Sequence, residues 1–278
     1  MSEPIYDRVV IVTGAGSGFG RLISQKCGAL GARVVCADVD EAQAAATAET
    51  IRAAGHQAMF QRADVTRLDD MRALAAGAVD RFGAIDVMVN NAGTMPLAFY
   101  RDHEAAMDAW ARCIDVNIKG VLHGIVAVHD QMLSQGRGHV VNLSSIYGNF
   151  PVAGAGVYGA TKAAVNFLSE SLRVESQGRI KVTTVRPTGV PATNLAGGIV
   201  NPEATLGITG HNTADMAARF EALLAGQLPA RELDRDDIGY FALDPESLTD
   251  QIVYAINQPW GVSIAEITVR ASGEGYVL

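Results

Sequence analysis

Short runs of apolar and β-branched residues alternate with helical stretches along most of this chain, and this alternation restricts the fold most. The apolar runs predict buried strands, and the first three helical stretches end at Gly31, Gly55 and Gly83. Strands separated by helices pair in parallel, with helices on both faces of the sheet. Strands are predicted at residues 8–13, 33–38, 57–64, 85–93, 138–145, 180–187 and 265–270, and helices at 20–30, 41–54, 67–82, 104–134, 157–177 and 245–257.

The pattern predicts a doubly wound parallel sheet in three α/β/α layers. The chain has 278 residues, and no repeat or low-complexity linker divides it. We therefore expect a single α/β domain over residues 1–278. Residues 188–243 are less regular, and we expect them to form an insertion over one edge of the sheet.

Charge and hydropathy exclude several classes of partner. The formal net charge is −8, whereas binding to nucleic acid or to an anionic membrane requires a basic face. No apolar run approaches the ~20 residues of a membrane span. The first residues, "MSEPIYDR", have no apolar segment typical of a secretory signal. We expect a cytoplasmic protein without nucleic-acid or membrane partners.

Cysteine and histidine give no metal-ligand spacing. The three cysteines, Cys27, Cys36 and Cys113, are widely separated and odd in number, so we expect them to be reduced and packed. The histidines lack nearby cysteines or carboxylates at ligand spacing, and we expect all six to be structural or on the surface. No metal site is predicted.

Four glycines occur in the eight residues "TGAGSGFG", Thr13–Gly20, between the first predicted strand and helix. At such a turn, backbone N–H groups and the helix N-terminus face an anion, and side chains would obstruct its approach. Gly14 permits the tight turn, Gly18 admits a phosphate-bearing cofactor, and Gly20 lets the helix pack on the strand. The turn predicts a dinucleotide site at this end of the sheet.

Asp38 ends the second predicted strand, twenty residues after Gly18, which is the spacing of a ribose-binding carboxylate. A 2′-phosphate ~4 Å from this carboxylate would raise the energy by about 4 kcal/mol at an effective dielectric near 20. No arginine or lysine lies among residues 34–51 to compensate. Asp38 therefore favours NAD over NADP, although it also fits a helix N-cap.

Five further motifs follow in order: Asp64-Val65, "NNAG" at Asn90–Gly93, "NIKG" at Asn117–Gly120, "NLSS" ending at Ser145, and "YGATK" at Tyr158–Lys162. With the spacing of the glycine turn, they resemble the short-chain dehydrogenase/reductase family from residue 8 to about residue 187. The resemblance implies a Rossmann-type fold and a nicotinamide cofactor. It also implies hydride exchange between a secondary alcohol and a ketone.

The same resemblance assigns roles to single residues. Asp64 and Val65 would flank the adenine, and Asn90 would lie along the cofactor. Asn117, Ser145, Tyr158 and Lys162 match the catalytic tetrad, with Ser144 as a rival to Ser145. The residues expected to bind cofactor are Gly14, Ser17, Gly18, Phe19, Gly20, Asp38, Asp64, Val65, Asn91, Ala92, Gly93, Tyr158, Lys162, Pro187, Val190 and Thr193.

The chemistry of the tetrad follows from its residue types. Tyr158 and Lys162 are four apart on a predicted helix and share one face. A free tyrosine has a pKa near 10, and we expect cationic Lys162 and the nicotinamide ring to lower it. Tyr158 then exchanges the proton of the alcohol, Ser145 positions the substrate oxygen, and Asn117 orders a water that links Lys162 to solvent.

The sequence departs from the family pattern after the sixth predicted strand. In "PTGVPAT", Thr188 stands where glycine is usual, and Thr193 comes one residue late, so Thr188 is an alternative donor to the nicotinamide amide. The ending "ASGEGYVL" replaces the usual Asp-Gly-Gly ending. The resemblance still implies a homodimer or homotetramer, and residues 188–243 would cover the substrate.

The expected function is NAD-dependent interconversion of a bulky, mainly apolar secondary alcohol and its ketone. Met95, Pro96 and Leu97 add apolar surface, and Tyr147 fits either the pocket or the core. An NADPH-dependent reductase is one alternative, and a non-catalytic dinucleotide-binding sensor or scaffold is another. A dehalogenase would need arginine at position 162, and an enoyl reductase a wider tyrosine–lysine spacing.

Overall fold

Seven parallel strands form one sheet at the centre of the computed structural model, which describes residues 4–191 and 194–277. The spatial order is β3-β2-β1-β4-β5-β6-β7, so the direction of winding reverses between β1 and β4. The strands are β1 (Val9–Thr13), β2 (Arg33–Asp38), β3 (Ala58–Arg62), β4 (Val87–Asn90), β5 (Gly138–Leu143), β6 (Ile180–Pro187) and β7 (Glu266–Val269).

Helices connect the strands in the predicted alternation. Gly31, Gly55 and Gly83 follow α1, α2 and α3 with φ of 87°, 87° and 82°, as the predicted helix ends require. The helices are α1 (Gly18–Ala29), α2 (Glu41–Ala53), α3 (Leu68–Phe82), α4 (His103–Ile114), α5 (Gly120–Ser134), α6 (Gly156–Glu175), α7 (Thr213–Leu224), α8 (Ala230–Leu233) and α9 (Pro245–Ile256).

The side chains of β1 show how the three layers form. Val10 and Val12 face a core shared with α1, α2 and α9, whereas Val9 and Ile11 face a core shared with α3, α5 and α6. All four side chains are fully buried. A strand buried on both faces needs the continuous apolar run seen in the sequence, and the predicted single-domain, doubly wound α/β fold is confirmed.

The predicted helical region 104–134 is interrupted. A π-helical turn, Asp115–Lys119, joins α4 to α5 and contains buried Asn117. Such turns occur mostly inside α-helices and often at functional sites. The sequence pattern does not reveal it, because the inserted residue is held by side-chain contacts made to other elements.

Residues 188–243 form an irregular segment, as expected. Short 3-10 turns lie at Asn194–Gly198, Pro202–Ile208 and Gly210–Asn212, before α7 and α8. Residues 192–193 lie outside the described part of the chain, so the predicted cofactor contact of Thr193 has no structural counterpart here. None of the described helices is long and apolar enough to span a bilayer.

Candidate active site

The glycine turn lies where the winding of the sheet reverses, beyond the carboxyl end of β1. Gly14 and Gly18 have φ of +64° and +49°, a region that side chains disfavour. A Cβ on Gly14 would lie 2.9 Å from Asn91 Nδ2, whereas one on Gly18 would meet nothing within 4 Å. The turn therefore packs against the loop after β4 and leaves open space above Gly18.

The loop after β4 and the glycine turn hold each other. Asn91 Nδ2 donates to the Thr13 carbonyl at 2.8 Å, and the backbone N–H groups of Asn91 and Ala92 donate to Thr13 Oγ1 at 3.1 and 3.2 Å. A Cβ on Gly20 would collide with the Gly14 carbonyl, so α1 lies directly against the turn. These contacts fix the two loops as one rigid edge.

The N-terminus of α1 suits an anion. Ser17 is its N-cap residue, but the Ser17 side chain makes no capping hydrogen bond, and the first turn contains no acidic residue. In contrast, α2 and α3 carry Glu41 and Asp69 in their first turns. The positive end of the α1 dipole is thus left uncompensated by its own first turn.

Asp38 stands at the carboxyl end of β2 beside this turn. Its Oδ2 accepts from Gly16 N at 2.9 Å, and its Oδ1 accepts from Asp40 N at 3.0 Å. The N-cap of α2 is Asp40, whose side chain accepts from Gln43 N. The alternative reading of Asp38 as the N-cap is therefore wrong, and its carboxylate faces the turn.

A cavity of about 730 Å³ runs from the glycine turn to α6. Gly20 and Asn117, two of the predicted residues, are absent from its described lining: Gly20 packs under the turn, and Asn117 lies behind Gly93. The predicted residues that line the cavity are Gly14, Ser17, Gly18, Phe19, Asp38, Asp64, Val65, Asn91, Ala92, Gly93, Ser145, Tyr158, Lys162, Pro187 and Val190.

Tyr158 and Lys162 lie one turn apart on α6 at the inner end of the cavity, as predicted. Both are buried, and Lys162 Nζ is 5.7 Å from the centroid of the Tyr158 ring. The ammonium donates to the Leu143 carbonyl at the end of β5 at 2.7 Å. Lys162 is therefore fixed between the central sheet and the phenol.

Burial shifts both groups toward their neutral forms. The pKa of Tyr158 is raised by burial, with a hydrogen bond from Ser145 acting in the opposite direction. The pKa of Lys162 is lowered to about 8 by burial. The expected lowering of the Tyr158 pKa by Lys162 is thus not a property of the protein alone, because desolvation of the phenolate outweighs the hydrogen bond from Ser145.

The two candidate serines differ in their partners. Ser144 Oγ donates to the Lys162 carbonyl at 3.0 Å, which ties β5 to α6. Ser145 Oγ accepts from Tyr147 N at 3.3 Å and interacts with the Tyr158 hydroxyl. The Tyr147 ring packs edge-on against Tyr158 at 5.6 Å between centroids. The geometry favours Ser145 over Ser144 as the residue beside the phenol.

Asn117 is held by its amide in the π-helical turn. Its Oδ1 accepts from Thr94 N at 2.9 Å, and its Nδ2 donates to the Thr94 carbonyl and Thr161 Oγ1 at 2.9 and 3.0 Å. A Cβ placed on Gly93 would lie 3.3 Å from Asn117 Oδ1 and 3.7 Å from Lys162 Nζ. The structure therefore brings both Asn117 and Lys162 next to Gly93.

The expected position of Asn90 along the cofactor is wrong. Asn90 Nδ2 donates to Asn142 Oδ1 at 2.8 Å, and Asn142 Nδ2 donates to Ser169 Oγ at 2.9 Å. This buried chain joins β4, β5 and α6 below the cavity floor. The side chain of the last strand residue points into the core, and the lining begins one residue later, at Asn91.

Sequence reasoning missed part of the lining. Val116 precedes the "NIKG" motif and could have been found from it, because it shares the turn with Asn117. Tyr276 gave no signal, since it comes from the far end of the chain. Other lining residues from the irregular segment are Leu195, Ala196, Ile199, Thr205, Leu206, Ile208, Thr209, Phe220 and Leu224.

The fold and the site together define a class of protein. A long cavity begins at a glycine turn and a helix N-terminus, passes a strand-end carboxylate, and ends at a buried Tyr–Lys pair. Such a cavity at the reversal point of a doubly wound sheet is typical of dinucleotide-dependent enzymes. Gly18 leaves open space at the turn, as an extended dinucleotide needs.

Comparisons with known proteins agree with that class. The family model described as short chain dehydrogenase matches residues 8–204. An uncharacterised oxidoreductase from Staphylococcus saprophyticus is 34% identical over 272 residues, covering 97% of this chain and 98% of the relative. The chain belongs to the short-chain dehydrogenase/reductase family and is an oxidoreductase.

Two solved structures are similar along nearly the whole chain. A short-chain dehydrogenase/reductase from Burkholderia phymatum in complex with NAD is 31% identical, with a TM-score of 0.74 and coverage of 95% of this chain and 89% of that one. A metagenomic short-chain oxidoreductase in complex with NADP is 28% identical, with a TM-score of 0.72 and coverage of 96% and 98%.

Proposed function

We propose that this protein interconverts a secondary alcohol and its ketone with NAD, using Tyr158 as the acid and base. The observation that supports this most strongly is the buried pair Tyr158 and Lys162, with Ser145 beside the phenol, at the inner end of the cavity. The nicotinamide, when bound, supplies or accepts the hydride. The remaining chemistry is proton transfer and positioning by the residues of the chain.

The residues fit a nicotinamide dinucleotide. The uncompensated N-terminus of α1 and the open space above Gly18 would hold the pyrophosphate. Asp38 would accept from a ribose hydroxyl, and Val65 would contact the adenine. Thr94 Oγ1 is buried and has no hydrogen-bond partner among the described residues, which marks the wall near Gly93 as a place for a further polar group.

Tyr158 would hold the proton in the reductive direction. Because burial raises its pKa, the phenol is protonated at neutral pH and can donate to the oxygen of a ketone. The Ser145 hydroxyl would hydrogen-bond the same oxygen. Lys162, still largely charged at neutral pH with a pKa of about 8, would stabilise the phenolate that remains.

Asn117 acts as a positioning residue in this proposal. Its amide is fully engaged with Thr94 and Thr161, so it fixes the backbone beside Gly93. Gly93 is next to both Asn117 and Lys162, and a proton-carrying water would lie in the space beside it.

The substrate is proposed to be bulky and uncharged. The described lining contributed by residues 195–224 contains no charged side chain and is mostly aliphatic. Met95 and Leu97, from the loop after β4, complete the apolar wall. We therefore assign the irregular segment 188–243 to covering the substrate.

NAD is proposed as the preferred cofactor because Asp38 lines the adenosine end of the cavity. A 2′-phosphate there would face this carboxylate, and the described cations of the lining are Arg112 on α4 and Lys162 at the inner end. NADP remains the second candidate, since the similar metagenomic oxidoreductase was solved with NADP.

We also propose that the chain self-associates. Apolar side chains are exposed on the outer faces of α4, α5 and α6, which flank the same side of the molecule. Burying such a surface is the usual driving force of association. The residues are Met107, Ile114, Leu122, Val126, Phe167 and Val174.

The proposed reaction is tested by a cofactor-linked absorbance screen of secondary alcohols and ketones with NAD and NADP. We expect turnover of bulky apolar substrates, faster with NAD. Tight cofactor binding without turnover of any substrate would contradict the proposed reaction and favour a non-catalytic sensor or scaffold.

A further inference from the structure

The C-terminal segment Arg270–Val277, called the tail below, lies between the loop after β6 and the irregular segment. Val277 N donates to the Ile208 carbonyl at 3.2 Å, and Asn212 Nδ2 donates to the Gly275 carbonyl at 2.9 Å. From α7, Arg219 Nη1 donates to the Gly273 carbonyl at 2.9 Å. These bonds hold the second half of the tail, from Gly273 to Val277, against the irregular segment.

A buried carboxylate fastens the tail to the loop after β6. Thr188 Oγ1 donates to Glu274 Oε2 at 2.6 Å, and Arg270 Nε pairs with Glu274 Oε1 at 2.6 Å. The Glu274 side chain is only 3% exposed. Thr188 stands where the family pattern has glycine, which has no hydroxyl to donate, so this fastening follows from the sequence of this chain.

Because the tail is held by these contacts, Tyr276 lies at the wall of the cavity. A Cβ on Gly189 would collide with the Tyr276 hydroxyl, so the phenol lies directly over the loop after β6. Its ring lines the same cavity as Tyr158, and Tyr147 is close enough to influence its pKa, which burial raises. The neutral phenol is therefore a hydrogen-bond donor inside the site.

The Tyr276 hydroxyl forms no hydrogen bond with any residue in the described part of the chain, although hydroxyls such as Thr209 on the same wall are satisfied. A donor left facing an apolar ligand is unfavourable, because it loses its hydrogen bond to water. A site with such a donor discriminates strongly for ligands that bear a matching acceptor.

We propose that Tyr276 is a specificity-determining residue that donates a hydrogen bond to a second oxygen of the substrate, distinct from the oxygen that reacts. The substrate class is thus an apolar ketone or alcohol that carries a further carbonyl, ether or hydroxyl oxygen. This inference rests on the proposed alcohol–ketone chemistry. Glu274 and Thr188 act as positioning residues, because they hold the tail that bears the phenol.

The test compares matched ketones with and without a second oxygen: cyclohexanone with 1,4-cyclohexanedione, and 1-phenyl-1-propanone with 1-phenyl-1,2-propanedione. For the wild type, we expect the dione of at least one pair to have a lower KM than the monoketone. Tyr276→Phe should raise the KM of that dione at least tenfold and leave the monoketone within about twofold. NADH affinity, measured by fluorescence titration, should be unchanged.

Two further variants separate recognition from structure. Tyr254→Phe removes an exposed hydroxyl on α9 and should leave the KM of both the dione and the monoketone unchanged. Thr188→Val should reproduce the KM effect on the dione, and Thr188→Ser should restore the wild-type value, because only a hydroxyl can fasten Glu274.

Equal losses for the dione and the monoketone in Tyr276→Phe, or no loss for either, would overturn the proposal. So would a wild type that does not favour either dione. Failure of the proposed function is recognised separately: the wild type would then oxidise NADH with none of the ketones. In that case, binding of the diones to the NADH complex, followed by the same fluorescence signal, still decides the role of Tyr276.

Discussion

Lys162 must carry a charge where burial disfavours one. Its pKa is lowered to about 8 by desolvation, although the ammonium donates to the Leu143 carbonyl. A charged group that lowers stability and is nevertheless retained is typical of functional sites, where activity is favoured over stability. The free energy of unfolding therefore gives a test of the site that needs no substrate.

Lys162→Met is expected to stabilise the protein. The folded-state pKa lies below the unfolded value of 10.5, so holding the charged ammonium in the folded protein lowers the stability of the wild type, in full below about pH 8. The shift corresponds to about 3 kcal/mol, and the lost hydrogen bond offsets about 1 kcal/mol. Urea unfolding at pH 7 should give a gain on the order of 2 kcal/mol in the free energy of unfolding.

The gain should shrink as the pH rises from about 8 to 10.5, because the wild type then loses its penalty. A difference between the two proteins that stays constant over this range would contradict a buried, charged Lys162. Comparing the two proteins cancels other groups that titrate in the same range, such as Lys181, whose pKa is also lowered to about 8.

Asp38 is expected to set the cofactor preference. Asp38→Asn removes the charge but keeps an oxygen that can accept from Gly16 N. Relief of the repulsion between two charges should raise the ratio of kcat/KM for NADP over NAD at least tenfold, within the roughly 4 kcal/mol available. Steady-state rates with both cofactors give this ratio. An unchanged ratio would show that Asp38 does not discriminate between NAD and NADP.

Among the elements, the glycine turn is where local sequence and function coincide most closely. Gly18 and Gly55 both have positive φ, and neither has an atom within 4 Å of an added Cβ. Alanine at either position should therefore destabilise the protein by a similar amount, about 1 kcal/mol. A difference in NADH affinity between the two variants would therefore report the space that the cofactor needs above Gly18.

Gly18→Ala should weaken NADH binding at least tenfold, because the methyl group would occupy the approach to the N-terminus of α1. Gly55→Ala, at the end of α2, should bind NADH as the wild type does. Fluorescence titration of both variants makes the comparison. Equal affinities would show that Gly18 is needed for the backbone alone.

The sequence predicts elements well where local chemistry decides them. The three helix-ending glycines and the seven strands lie as expected, because positive φ and continuous apolar runs are local properties. The π-helical turn at Asn117 was missed, since it depends on contacts with Thr94 and Thr161. The direction of Asn90 was wrong, because a strand end can point to the core or to the cavity.

On the scale of the whole molecule, the exposed apolar faces of α4, α5 and α6 predict self-association. Phe167→Asp, on α6, should shift the protein toward the monomer, because a buried carboxylate without a partner is unfavourable. Ile238→Asp is the control, as Ile238 is 85% exposed and lies outside these helices. Light scattering after size exclusion measures the mass, and a wild-type monomer would contradict the proposal.

Contacts between distant parts of the chain could not be predicted from the sequence. The motifs from residue 13 to residue 162 predicted about a third of the described lining residues, because parallel strands bring their carboxyl ends together. Tyr276 is held at the same cavity by long-range contacts such as that between Thr188 and Glu274, which are 86 residues apart. No local pattern encodes such a pairing. From the sequence, the tail is recognised only as a departure from the family's usual ending.

Tyr158→Phe tests the central claim most directly. If the phenol exchanges the proton, kcat for a ketone that the wild type reduces should fall by about 10²- to 10⁴-fold. The affinity for NADH should stay within about twofold, and Tyr147→Phe, whose ring packs on Tyr158, should keep most of kcat. A Tyr158→Phe enzyme that keeps wild-type kcat would contradict the account.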